Sequence, residues 1–353
     1  MLTLLLVLTV QSIWRPFKEI PLMGVTPQPA LPEDQPNAWF DGRWQATVEH
    51  RVNRDFALRP ALIRFINQVR YSLFDEHTPV ITKGQNGYLF ETAHRAPLCG
   101  QDLISQDSVM RLIRSLDDFR NRLLRKGKRL VIMIAPNKWR TLAKQVDCDC
   151  KPKWTNYQRI VPVLQARGYA VFDAIDAFQY EQAAKPVHPL HSKQGTHWSH
   201  FGAAISADYL RYTFSQEGIQ LPAVSFDSVE VVNQPRSTDK DLQELLNIMV
   251  EPEAEKLAYP ILSFSGDYKP RVTVIGDSYY RIYYLLGLHQ GLFAMESKYF
   301  YYNRSLIDTD VYLHQPLNDS IRRTEIEASD AVLLVLSEPL LSDLGFGIQS
   351  LEF

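Results

Sequence analysis

A chain of 353 residues that is 45% hydrophobic, 22% charged and 11% aromatic has ample material for a core, which excludes wholesale disorder. Its 38 basic and 40 acidic residues leave a formal net charge of −2, so neither a nucleic-acid surface nor a polybasic membrane patch is expected. The length allows two ordinary domains or one large α/β domain with appendages, and no repeat period or low-complexity tract is visible.

The N-terminus opens on an apolar run from Met1 to Val10. That is about half of the ~20 residues a spanning helix needs. Three readings stay open: a signal or signal-anchor core whose start is truncated or misassigned, an intact short targeting segment, or a buried helix. The first two send the chain out of the cytoplasm. Arg15 and Lys18 follow the run, which leaves its orientation open. Residues 1–21 are taken as this segment and the proline-rich residues 22–40 as a linker. The folded body is expected over 41–353, beginning with a helical extension. In it Phe56, Leu58, Leu62, Phe65, Ile66, Val69 and Leu73 form an apolar stripe, with Arg51, Arg54, Arg59, Arg64 and Arg70 on the solvent side.

Residues 79–91 read as two short strands turning at Asn86-Gly87, a pair that tolerates positive φ. Apolar residues from Val109 to Leu124 recur at helical spacing, and Lys126-Gly127-Lys128 ends that helix. Four apolar runs follow, over 129–136, 169–173, 271–278 and 330–338, each of the kind buried on both faces of a sheet. Helical patterns over 156–167, 200–215, 279–291 and 318–328 separate them. The alternation predicts a parallel sheet covered on both sides, with its chemistry at the carboxyl ends of the strands.

The residues after those strands are therefore the candidates. In Gly276-Asp277-Ser278-Tyr279, a serine sits at a strand end and a helix start. Free N–H groups there suit an oxyanion, although serine is also an ordinary helix cap. In Gly195-Thr196-His197-Trp198, His197 is placed to act as a base; the plain alternative is a loop histidine packed on Trp198. His188, His191, His197 and His200 fall within thirteen residues, but Pro189 prevents one helical face from presenting all four, so no metal is expected. Of the three cysteines, Cys148 and Cys150 are too close for a relaxed local bridge. Cys99 can pair with either in an oxidising compartment.

These motifs together resemble the SGNH-hydrolase-like acetyltransferases of bacterial exopolysaccharides, above all the alginate O-acetyltransferase family. The residues that carry the resemblance are Gly276-Asp277-Ser278-Tyr279, Thr196-His197-Trp198 with Gly202, and Gly84 to Phe90. Pro136-Asn137-Lys138, Asp241-Leu242 and Ser337-Glu338 agree as well. The resemblance covers residues 45–345 and implies a three-layer α/β/α fold around a central parallel sheet.

It further implies acetyl transfer to a polysaccharide hydroxyl, with Ser278 as nucleophile, His197 as base and no cofactor. Asp277, Asn137, Glu338 and Thr196 stand as supporting candidates, with Asn137, or a loop N–H after the strand over 129–135, as a trial second oxyanion donor. Trp198, Tyr279 and Tyr280 are candidates for stacking on sugar rings, and Tyr299 to Tyr302 for lining a glycan groove or forming a buried strand. The implied partners are the polysaccharide acceptor and a membrane-bound acyltransferase that donates acetyl. The implied location is the periplasm, with tethering to the inner membrane left open. The family's acid stands two residues before the histidine, where this chain has Gly195. Either a backbone carbonyl holds His197, or another carboxylate replaces the acid (Asp173, Asp176 or Glu338), or the protein binds glycan without turnover. An acetyl esterase on the same fold is the rival reaction.

Overall fold

The computed structural model describes residues 10–11, 14, 16, 18–24, 42–46, 48–49, 58–74, 78–146, 148, 150–253, 255–308 and 313–353. Phe56, Arg51, Arg54, nearly all of the N-terminal apolar run and most of the proline-rich linker lie outside them. The chain divides into two units, one of residues 1–78 with 242–252, the other of 79–241 with 253–353. The boundary falls at Thr78, and residues 242–252 belong to the first unit.

In the first unit, helix α1 (Arg59–Val69) starts with Pro60 in its first turn and runs into a π-helical turn, Arg70–Phe74. Gln68 Oε1 accepts from the N–H groups of Met249 and Val250 at 3.0 and 2.8 Å. The predicted stripe is exposed: Leu62, Phe65, Ile66 and Leu73 are 47–74% accessible. Among the described residues no helix is long and apolar enough to cross a membrane.

The second unit contains β1 (Ile81–Lys83), β2 (Leu89–Glu91), α2 (Arg95–Leu98), α3 (Gln106–Arg125), β3 (Arg129–Ala135), α4 (Lys138–Thr141), α5 (Asn156–Ala166), β4 (Ala170–Asp173), α6 (Ala174–Ala183), α7 (His200–Gln216) and β5 (Ala223–Val232). After α8 (Asp241–Leu245), which enters the excursion, come β6 (Leu257–Ser265), β7 (Val272–Gly276), α9 (Arg281–Leu285), α10 (Leu288–Leu292), β8 (Lys298–Tyr301), β9 (Ser305–Ile307), β10 (Gln315–Pro316), α11 (Asp319–Ala328) and β11 (Ala331–Ser337).

The main sheet runs β10-β9-β8-β7-β11-β3-β4, parallel from β8 through β4 and antiparallel at the β9 and β10 edge. β11 is central, paired over its whole length with β3, and all seven of its residues are buried. One face is covered by α7, whose Ala203, Ala207, Leu210 and Phe214 pack on Val131, Met133, Val274 and Leu333. The other is covered by α3, whose Val109, Ile113, Leu116, Phe119 and Leu123 meet Leu130, Ile132, Val332 and Leu334. Alternate strand residues thus feed two separate cores, as a parallel sheet buried on both faces requires. This is the three-layer α/β/α arrangement.

The four predicted sheet strands and most of the helices stand within a few residues of their expected bounds. Asn86 and Gly87 take positive φ (56° and 78°), within a five-residue connection between β1 and β2. The helical pattern over 279–291 is split, because Gly287 at φ 70° separates α9 from α10. The Tyr299–Tyr302 run forms strand β8 as far as Tyr301, with Tyr299 and Phe300 fully buried. Sulfur pairing is resolved as Cys99–Cys150, with the Cys148 thiol free.

Candidate active site

The carboxyl ends of β8, β7, β11 and β3 lie side by side in the sheet and deliver Tyr302, Ser278, Glu338 and Asn137 to one edge. β7 ends at Gly276, whose added Cβ would lie 2.8 Å from the Val335 side chain of β11, so only glycine lets the two strands close there. Asp277 then turns the chain. Its fully buried carboxylate accepts from the backbone N–H of Tyr279 at 3.0 Å and of Ser337 at 2.7 Å, tying the turn to β11. Burial pushes the Asp277 carboxyl above its ordinary range, opposed by these N–H donors. Tyr299 donates its hydroxyl to the Asp277 carbonyl. The turn that presents Ser278 is therefore held from three sides.

His197 arrives on the loop before α7. Its Nε2 lies 2.9 Å from Ser278 Oγ, and its Nδ1 lies 2.9 Å from Asp241 Oδ2. The other oxygen of Asp241 accepts from the Thr196 N–H at 2.8 Å. Both oxygens of one carboxylate thus grip adjacent residues of the histidine loop. None of Asp173, Asp176 and Glu338 takes this place. Asp173 caps α6 through the N–H groups of Ile175 and Asp176 and accepts from Tyr157, while Asp176 is exposed in the first turn of α6. Glu338 is bound by Arg140, with Nε 3.0 Å from Oε2, and by Asn137 Nδ2 at 2.9 Å.

Gly195 explains how Asp241 reaches the site. A Cβ at 195 would stand 2.3 Å from the carbonyl oxygen of Thr238, 2.7 Å from Ser192 Oγ and 3.0 Å from the carbonyl carbon of Asp239. The backbone of 238–239 occupies the room a side chain at 195 needs, and that segment brings Asp241 to His197. The histidine loop is also clamped from below by Lys138. Its buried ammonium donates to the carbonyls of Gly195 at 2.6 Å, Leu89 at 2.7 Å and Lys193 at 3.1 Å. Burial lowers the Lys138 pKa to about 7.

The aromatic residues tie the two loops together. Trp198 Nε1 donates to the Tyr279 carbonyl at 3.1 Å, the Tyr279 hydroxyl donates to the Thr196 carbonyl at 3.3 Å, and the Tyr279 ring meets His197 edge-on at 4.7 Å. Tyr280 donates to or accepts from His289 Nδ1 at 2.9 Å within the core. Trp198, Tyr279 and Tyr280 are at most 1% exposed, so none offers a face to a sugar ring, and the expected stacking role is corrected to one of bracing. Asn137 is corrected as well: its side-chain amide donates to the His94 carbonyl at 3.1 Å and to Glu338, leaving no side-chain N–H for an oxyanion. Thr196 contributes its backbone N–H to Asp241, and its hydroxyl donates to Glu91 at 3.2 Å.

Each remaining histidine of the 188–200 cluster is engaged separately. His191 lies 2.8 Å from Thr141 Oγ1, His200 lies 2.8 Å from Asp239, and His188 packs edge-on against Phe201. His94, which the sequence reading passed over, packs 6.4 Å from the Tyr279 ring and 3.7 Å from Glu91. Burial lowers its pKa, with Glu91 opposing and the His197 charge adding to the effect.

Residues 81–286 match the model of the SGNH hydrolase-like domain of the acetyltransferase AlgX. A probable alginate O-acetylase AlgJ of Pseudomonas putida is 25% identical over 184 residues, 51% of this chain and 46% of the relative. The chain therefore spans about half the length of the curated relatives it matches. Among solved structures, the O-acetyltransferase domain of Pseudomonas putida AlgJ aligns with TM-score 0.46 and 19% identity, covering 75% of this chain and 93% of that one. Bacillus cereus PatB1 with a sulfonyl adduct aligns with TM-score 0.51 and 11% identity, covering 78% and 99%, a likeness of fold. With a family match running from the first hairpin through Ser278, this chain belongs to the AlgX-type family of SGNH hydrolase-like acetyltransferase domains.

Proposed function

We propose that the protein transfers acetyl to a hydroxyl of an exported bacterial polysaccharide through an acyl-enzyme on Ser278. The observation that carries this reading is the unbroken relay Ser278 Oγ, His197, Asp241, with both links at 2.9 Å. His197 Nε2 takes the Ser278 proton as Oγ bonds to the acetyl carbonyl carbon, and the imidazolium returns that proton to the departing donor group. A sugar hydroxyl then loses its proton to His197 and attacks the acetyl-serine. The ester forms on the sugar, and Oγ regains the proton. Asp241 keeps the Nδ1–H tautomer and stabilises the imidazolium, which is the task of a triad acid. In this reading Asp277, Trp198 and Tyr279 position the two loops.

The donor in this reading is a membrane-bound acyltransferase, and the setting is the periplasm. The relay weighs against a subunit that binds glycan without turnover, because a binding protein has no use for a serine, imidazole and carboxylate in line. The test is turnover of a chromogenic acetyl ester by the full chain, with intact mass read for an acetyl adduct. Ser278→Ala is expected to abolish both while the protein stays folded, and full activity in that variant would sink the mechanism. An oligosaccharide acceptor then separates the reactions: acetylated glycan supports transfer, and free acetate alone makes the protein an esterase.

A further inference from the structure

Helix α1 is folded inside out. Its apolar residues Leu62, Phe65 and Ile66, with Leu73 in the turn that follows, recur at the spacing of one helical face, which in a globular protein turns to the core. Here each is close to half exposed or more, and no residue of α1 is buried. The polar face turns inward instead. Arg64 donates through Nη1 and Nη2 to the carbonyls of Ile20 and Pro21, both at 2.8 Å, and Asn67 Nδ2 donates to the Leu246 carbonyl at 2.9 Å. Gln68 accepts from the N–H groups of Met249 and Val250. All these bonds lie within the first unit, and they hold the helix at this rotation.

A contiguous apolar face left in water marks a surface made to be covered. Charge decides what covers it. The chain as a whole is nearly neutral, at −2, but from Leu58 to Phe74 it carries Arg59, Arg64 and Arg70 and no carboxylate. Arg59 and Arg70 stand seven positions before and four after Ile66, so they border the apolar stripe along one side. A second copy would bring the same arginines to this border and, from this span, no carboxylate to meet them. An anionic lipid surface brings acyl chains for the apolar residues and phosphates for the guanidinium groups.

We propose that α1 docks on a bilayer surface with anionic headgroups, with Leu62, Phe65, Ile66 and Leu73 among the acyl chains and Arg59 and Arg70 at the phosphates. At 11 residues the helix is too short to span a bilayer, so it lies in the plane of the interface. The inference goes beyond acetyl transfer and does not depend on it, since it concerns where the protein stands and not what Ser278 does.

The experiment floats the full chain with vesicles of phosphatidylethanolamine and phosphatidylglycerol, and separately with vesicles of phosphatidylcholine alone, and reads the bound fraction. Wild type is compared with a serine pair, Phe65→Ser with Ile66→Ser, and a glutamine pair, Arg59→Gln with Arg70→Gln, beside thermal melting and turnover of a soluble chromogenic acetyl ester. Phe65, Ile66 and Arg70 are exposed and Arg59 is half-buried, so the fold is expected to persist in both. Wild type is expected on the anionic vesicles. The serine pair should lower its partition coefficient about 10–100-fold. The glutamine pair should lower it roughly 5–30-fold, on anionic vesicles alone. Turnover of the soluble ester should stay within about twofold of wild type in each. Wild type that stays in the unbound fraction overturns the proposal. Undiminished binding of the serine pair overturns it too, because the contact would then lie on another segment, such as the N-terminal apolar run. Equal binding to both kinds of vesicle overturns the anionic assignment. A dimer in sedimentation that the serine pair dissolves, without vesicle binding, makes a second copy the occupant. Turnover that survives Ser278→Ala removes the acyl-enzyme reading and leaves the flotation result standing.

Discussion

Asp241→Asn removes one charge and keeps the shape of the side chain. Asp241 uses one oxygen for the Thr196 N–H and the other for His197 Nδ1. An amide satisfies the first by presenting its oxygen, which turns its NH₂ toward His197. Nδ1 must then accept, the ring proton moves to Nε2, and the imidazole can no longer take a proton from Ser278. In a fully sheltered triad this exchange costs about 10⁴ in kcat, or about 5.4 kcal/mol at 1.36 kcal/mol per decade. The Asp241 side chain is 30% exposed, so water screens part of the effect, and the expected loss is roughly 10²–10⁴. The assay is kcat on a chromogenic acetyl ester at saturating substrate, with melting to show that the fold persists. A kcat within about fivefold of wild type would refute the assignment of Asp241 and return the histidine to the dyad reading.

Gly195→Ala is expected to cost about 1–3 kcal/mol, because its Cβ meets the Thr238 carbonyl oxygen at 2.3 Å and backbone must give way. Activity should fall with it as Asp241 is carried off; urea midpoints and kcat measured together check this, and an unchanged pair contradicts the close packing at 195. Burial lowers His191 to about 3 and His289 to about 4, against about 6.5 in an unfolded chain. Between pH 4 and 6.5 the unfolded chain binds protons the folded one refuses. Each histidine's contribution is thus complete above pH 6.5 and lost on acidification at about 1.4 kcal/mol per pH unit. Denaturant midpoints from pH 7 to 4.5 should show this slope, and His289→Phe should lower it by about one histidine's share; an unaltered slope counts against the buried neutral ring.

The parallel sheet was legible because its strands are buried on both faces and read as unbroken apolar runs, as in Ala331–Ser337. Ser278 was legible because it follows such a run, and His197 because it stands just before the helical pattern of α7. The β5–β6 ribbon was not: most of Ala223–Val232 is at least partly exposed, and no apolar run marks it. The bracing role of Trp198 and Tyr279 was hidden because composition does not say which aromatic ring is sealed. The acid was missed for a different reason. Asp241 stood out as an element of the resemblance, but its partner lies 44 residues away, and only the fold brings Oδ2 to His197.

The close approach at Gly195 makes positions 195 and 241 interdependent in a particular order. With glycine at 195, the 238–239 backbone fills the vacated space and the carboxylate arrives from outside the Asp-x-His motif. An aspartate placed at 195 then collides with that backbone before its carboxylate reaches the ring. Position 195 can take an aspartate only if the 238–241 segment withdraws. A search for the linear motif would class such a chain as inactive, whereas a search for a carboxylate within hydrogen-bonding distance of the histidine would keep it.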